Sequence, residues 1–148
     1  MNALHKREFT SFDIAADVYQ LDFRTFLFKL HKAERPAFRL VLEAGKRLHL
    51  TSYVAEKPFV PPAFCMALRK YLRNGWLTDV EQYEFERVVV FSFRTKTGMI
   101  RLVLELFGDG NIILVNEKSE ILHALTYKRM RDRNILRGDV FRFAPPGG

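Results

Sequence analysis

Glu86 and Arg87 adjoin at the end of the stretch Gln82-Tyr-Glu-Phe-Glu-Arg87, and side by side they suit the recognition of RNA. An arginine offers a planar fork of donors that grips a phosphate or a guanine edge. An adjacent carboxylate orients that fork or accepts from a base amine or a ribose hydroxyl. From these residues alone a solvated ion pair at a strand start, which adds little to stability, is the commoner outcome. A second candidate is Tyr127-Lys-Arg-Met-Arg-Asp-Arg133, the densest basic cluster, with Lys128, Arg129, Arg131 and Arg133 as phosphate contacts. Tyr127 is available there to stack on an unpaired base. Charge runs are more often solvated faces, and Asp132 is placed to pair internally with one of these cations. Arg24, Lys29, Lys32 and Arg35 make a further basic face only if strand pairing groups them.

Other chemistry finds no residues to carry it. The four histidines, His5, His31, His49 and His123, lie far apart, and the single cysteine, Cys65, leaves no CxxC or mixed ligand set for a metal and no partner for an internal disulfide. His49 and His123 sit in strand patterns, where an imidazole satisfied by a neighbour is the commoner outcome. Gly108-Asp-Gly-Asn111 lacks both the lysine and the following helix of a phosphate-gripping loop, and reads as a hairpin turn. Cys65 reads as a small buried apolar residue. The expectation is no catalytic residue, no cofactor and no small-molecule substrate.

Two helices and two groups of strands would position the basic candidates. Thr10 or Ser11 can cap a first helix ending near Asp22, with Phe12, Ala15 and Tyr19 beside Ile14, Val18 and Leu21 as its apolar stripe. From Thr25 to Thr51 the period becomes two: Phe26, Phe28 and Leu30 alternate with Leu27, Lys29 and His31, and Phe38, Leu40 and Leu42 with Arg39, Val41 and Glu43. Arg35-Pro36 and Ala44-Gly-Lys46 are then the turns of three antiparallel strands. A proline arm leads into a second helix over Pro61–Leu72, with Phe64, Leu68 and Leu72 on its buried face, Arg69, Lys70 and Arg73 elsewhere, and Gly75 as its left-handed stop. A second strand group runs from Trp76 through 87–93, 100–106, 111–115 and 121–125, joined by turns at Thr97-Gly98, Gly108-Asp-Gly110 and Asn116-Glu-Lys-Ser119. This order argues for an α+β domain of two packed antiparallel β-sheets with short helices.

With 148 residues, 48% of them hydrophobic, the chain is long enough to bury a core without disulfides or metals. No apolar run suits a membrane span or a secretory signal, so a soluble, cytoplasmic protein with no membrane partner is expected. The formal charge of +7 favours a polyanion.

The order of motifs resembles the N-terminal domain of the NFACT family, which includes nuclear export mediator factor, the Rqc2-type and RqcH-type proteins, and proteins labelled fibronectin-binding-like. The matching pieces are Ser11-Phe-Asp-Ile14, Leu48-His-Leu-Thr51, Pro61-Pro-Ala-Phe-Cys-Met-Ala-Leu-Arg-Lys70, Leu104-Glu-Leu-Phe-Gly-Asp-Gly-Asn-Ile-Ile-Leu114, and Arg133-Asn-Ile-Leu-Arg-Gly-Asp-Val-Phe141 with Pro145-Pro146. Residues 1–144 would form this domain, and 145–148 would begin a linker to further domains. The resemblance implies a fold similar to the N-terminal domain of formamidopyrimidine-type DNA glycosylases. Those enzymes attack with an N-terminal proline amine; this chain begins Met1-Asn2-Ala3-Leu4 and its first proline is Pro36, so a non-enzymatic domain is expected. Glu86-Arg87 stands where the family usually carries an Asp-Arg pair implicated in recruiting transfer RNA. The resemblance implies a part in ribosome-associated quality control. The protein would bind the obstructed large ribosomal subunit with its peptidyl-tRNA, contact transfer and ribosomal RNA, and recruit transfer RNA for template-free, chiefly alanine, tailing of stalled chains. Two other readings are an adhesion or protein-interaction module, and a glycosylase-like DNA-binding domain without catalysis.

Overall fold

The structure, a computed structural model, describes residues 12–31, 38–51, 63–83 and 87–145. Nine strands form one antiparallel sheet: β1 (Phe12–Asp22), β2 (Thr25–His31), β3 (Phe38–Glu43), β4 (Arg47–Thr51), β5 (Trp76–Tyr83), β6 (Val88–Thr95), β7 (Gly98–Glu105), β8 (Asn111–Asn116) and β9 (Ile121–Ala124). Among the described residues one helix, α1 (Ala63–Leu72), lies between β4 and β5, and a small hairpin, β10 (Lys128–Arg129) with β11 (Asn134–Ile135), follows β9. The spatial order is β4-β3-β2-β1-β5-β6-β7-β8-β9. Only Phe12↔Leu77 and Asp13↔Trp76 join β1 to β5, so the sheet is two halves sharing a short seam.

The halves fold onto each other around one core. Phe26, Phe28, Leu40 and Leu42 from the first half meet Phe91, Phe93, Leu102 and Leu114 from the second, and Leu68 and Leu72 of α1 close the open side. The alternation expected for Thr25–Thr51 holds, since Phe26, Phe28 and Leu30 are in this core while Lys29 is half-buried. The expected Ala44-Gly-Lys46 turn is present, whereas Arg35-Pro36 and the proline arm lie outside the described residues. A second cluster, with Val88, Val90, Val103, Ile113, Ile135 and Phe141, covers the opposite face of β6 to β8.

Two expectations are corrected. The segment ending at Asp22 is strand β1, not a helix. Its apolar residues satisfy both periods, and the choice is made by the hairpin it forms with β2, in which Asp22 pairs with Thr25 across a two-residue turn and its carboxylate accepts from Arg24 N–H at 3.0 Å. At the end of α1 the left-handed residue is Asn74, at φ 60°, and not Gly75. Gly75 has a packing reason instead: a Cβ there would lie 3.0 Å from the Leu72 carbonyl oxygen and 3.2 Å from the Thr95 methyl.

The halves also lock at one end through two turns. Gly45 N–H donates to the Glu105 carbonyl at 2.9 Å, and the Arg24 guanidinium donates to the Asp109 carbonyl. Gly110, at φ 76°, comes so close that a Cβ would sit 1.9 Å from Gly45 N. The expected 108–111 hairpin turn is therefore also the closure of the two halves.

Candidate nucleic-acid interface

Arg87 immediately precedes β6, and its carbonyl accepts from Leu106 N–H at 2.7 Å, just past the end of β7. Its guanidinium carbon stands 4.9 Å from the centre of the Phe107 ring. The ring backs the guanidinium, and among the described residues no carboxylate is ion-paired with it. Glu86 lies outside the described residues.

The basic cluster divides once placed in space. Lys128 and Arg129 form β10, pairing with Ile135 and Asn134, and Asn134 Oδ1 accepts from Met130 N–H at 3.2 Å to close the turn. Arg129 and Arg131 are exposed on this hairpin and Lys128 is half-buried. Arg133 points inward. Its Nη2 lies 2.7 Å from Glu105 Oε2, with side-chain exposures of 6% and 5%. That oxygen lies off the N–H direction, so charge rather than an aligned hydrogen bond holds the contact. Nη1 donates to the Arg142 carbonyl at 2.7 Å. A guanidinium so enclosed presents little to a phosphate. Arg133 instead pins the hairpin to the end of β7, beside the residue that hydrogen-bonds Arg87. The structure thus brings Arg87 and the 128–133 hairpin to one end of the sheet. The open cleft at the hairpin, about 440 Å³, is lined by Arg131, Arg133 and Arg142, but also by Asp132 and Asp139. Arg24 donates to the Asp109 carbonyl and Lys29 sits within β2, while Lys32 and Arg35 lie outside the described residues.

A basic surface that no single stretch of sequence announces lies at the C-terminal half of α1. A groove of about 420 Å³ is lined by Met66, Arg69, Lys70, Arg73, Asn74 and Lys96, with no acidic residue. Arg69 is partly engaged, since its Nε donates to the Val18 carbonyl at 2.8 Å and its guanidinium sits 5.4 Å from the Tyr19 ring. Beside Lys70, the Tyr71 ring packs on His123 at 5.8 Å, His123 Nδ1 lies 2.9 Å from Arg137 Nη2, and that nitrogen is 3.5 Å from the Tyr127 hydroxyl. Burial first, then the charges of Arg137 and Lys70, push the His123 pKa below its ordinary value. The imidazole is therefore neutral at pH 7 and Nδ1 accepts from Arg137, satisfied by neighbours as expected. Among the described residues no three His, Cys, Asp or Glu side chains cluster as a metal site. Cys65 is buried, as expected, with its thiol pushed up chiefly by desolvation. No described helix is long and apolar enough to cross a membrane.

Comparison with known proteins agrees with the motif order. The sequence profile described as NFACT N-terminal and middle domains matches residues 14–148. The archaeal Rqc2 homolog aRqcH of Methanocaldococcus jannaschii is 44% identical over 124 residues, covering 82% of this chain and 18% of that protein. The human ribosome quality control complex subunit NEMF is 34% identical over 112 residues, 76% of this chain and 10% of that protein. The crystal structure of the N-terminal domain of fibronectin-binding protein PavA from Streptococcus pneumoniae superposes with a TM-score of 0.83 at 27% identity, covering 96% of this chain and 57% of that one. The chain thus spans less than a quarter of these two curated relatives, and within that span it belongs to the NFACT family, as an N-terminal domain of the Rqc2 type.

Proposed function

We propose that this chain is an RNA-binding, non-catalytic domain of a cytoplasmic ribosome quality control factor, and that it recruits transfer RNA to large subunits obstructed by peptidyl-tRNA, for template-free tailing of the stalled chain. The observation that carries the reading is Arg87, a guanidinium beside the Phe107 ring without an ion-pair partner among the described residues, and the family resemblance implies that Glu86-Arg87 stands for the family's Asp-Arg pair. The names of the relatives, subunits and homologs of ribosome quality control factors, support the setting. Arg129 and Arg131 on the pinned hairpin would add phosphate contacts from the same end of the sheet, and Glu86 would orient the arginine fork. The domain acts by positioning its ligand, and peptide transfer belongs to the ribosome.

The test is equilibrium binding of transfer RNA across a salt series, with duplex DNA as competitor. Arg87→Ala and the Glu86→Ala/Arg87→Ala variant are expected to weaken transfer RNA binding by roughly ten- to a hundred-fold, the loss of a charged hydrogen bond, while weak duplex binding persists. Equal binding of both nucleic acids by all three proteins would sink the recruitment site. A second reading, adhesion, rests on the fibronectin-binding name of the PavA structure; saturable binding to immobilised fibronectin that survives Arg87→Ala would favour it.

A further inference from the structure

The densest run of basic residues in the sequence and the least compensated basic surface of the fold are different places. In the hairpin cleft, Asp132 and Asp139 share the lining with Arg131 and Arg142, and Glu105 takes Arg133. The groove on α1 gathers Lys70 from the helix, Arg73 from the turn after it and Lys96 from the β6–β7 turn with no acid, and among the described residues none of the three has an ion-pair partner. Lys70 belongs to two assemblies at once, since its Nζ also lies 5.5 Å from the Tyr71 ring. From Tyr71 the contacts continue through His123 and Arg137 to Tyr127, a residue 44% exposed. Arg137 is braced by a neutral imidazole and a hydroxyl instead of a carboxylate, so its position is set while its charge stays uncompensated.

We propose that this strip, from Lys96 and Arg73 through Lys70 to Arg137 and Tyr127, is a second RNA-binding surface that takes an unpaired segment of RNA. Cations spaced along the strip follow consecutive phosphates, and Tyr127 offers its ring to a base. Alternation of cations with aromatic rings is what unpaired nucleic acid requires, because its bases expose π-faces that a duplex hides. An acidic peptide would use the cations and leave Tyr127 idle. The proposal rests on the RNA-binding reading for its class of ligand, but uses none of the residues around Arg87.

The test is binding of the 148-residue chain to an unstructured RNA oligonucleotide and to an RNA duplex of equal length, with thermal melts to show that each variant is folded. Lys70→Ala/Arg137→Ala should lower the slope of log affinity against log salt for the unpaired RNA by about 1.4, two contacts at about 0.7 each. Tyr127→Ala should weaken the unpaired RNA by roughly five- to a hundred-fold and leave the duplex unchanged, and Tyr127→Phe should restore the affinity. An unchanged salt slope, or an equal effect of Tyr127→Ala on both RNAs, overturns the strip, as does equal displacement of the RNA by poly-aspartate. Wild-type chain that binds neither these RNAs nor transfer RNA would sink the RNA-binding reading itself. Loss confined to Arg87→Ala would sink only the strip.

Discussion

Replacing Arg133 by methionine separates two roles that the sequence leaves merged. With side chains 6% and 5% exposed and 2.7 Å between charged atoms, Arg133 and Glu105 form a buried ion pair. Removing one partner leaves the other charge uncompensated, at a cost of about 3–5 kcal/mol. That is a large part of the roughly 5–15 kcal/mol that holds a typical domain folded. At about 2–4 °C per kcal/mol for a chain of this size, the midpoint should fall by roughly 6–20 °C. Adding Glu105→Gln removes the stranded charge, so the double variant should recover much of the loss, with a coupling of about 2 kcal/mol in a double-mutant cycle. Urea unfolding at pH 7 measures all four corners. A cost below about 1 kcal/mol for Arg133→Met, with coupling within about 0.5 kcal/mol of zero, would refute the pin and return Arg133 to the solvated cations. The salt dependence of RNA binding gives the complementary check. A pin leaves the slope unchanged in the folded variant, whereas a phosphate contact would remove about 0.7 from it.

Two further predictions concern the sheet closure and the histidine. Gly110→Ala must place a methyl 1.9 Å from Gly45 N at φ 76°, and should cost upward of about 3 kcal/mol in urea unfolding. Gly108→Ala, at φ 57° with nothing within 4 Å, should cost about 1 kcal/mol, and equal costs at the two positions would contradict the turn-to-turn closure. His123 has its pKa lowered by burial and by Arg137 and Lys70, so the folded state binds its proton less readily than the unfolded state. Its contribution is present above the unfolded value, about 6.5, and is lost as pH falls below it. Urea midpoints should drop more from pH 7.5 to 5.5 in the wild type than in His123→Gln, and parallel drops would discount the effect.

Most of the sheet was legible because period two is a local property. Thr25–His31, Phe38–Glu43 and Arg47–Thr51 pair as the alternation predicts, and each strand of the second group falls on its expected stretch. Phe12–Asp22 was not legible, because its apolar spacing fits a helix and a strand alike. The deciding partner is β2, which reaches it through the Asp22 turn. The same limit appears at Gly110. Its turn could be read from Gly108-Asp-Gly110, but its contact with Gly45 joins residues 65 positions apart, and loop chemistry carries no sign of it.

Charge density along a chain and charge density on a surface answer to different partners, and that difference decides which basic residues could be grouped in advance. Arg87 could be singled out only because the family resemblance implies an Asp-Arg pair at Glu86-Arg87. The 128–133 run could be found but not sorted, because nothing local distinguishes Arg131, which faces solvent, from Arg133, which meets a carboxylate 28 positions earlier. Lys70, Lys96 and Arg137 each look like an ordinary surface cation in its own segment. Lys70 and Lys96 share one groove, and Arg137 is reached from it through Tyr71 and His123, because α1 packs Leu68 and Leu72 into the core. The apolar face of α1 thus determines where its polar face lies, and a change in the Leu68–Leu72 packing should displace the cations without touching any of them.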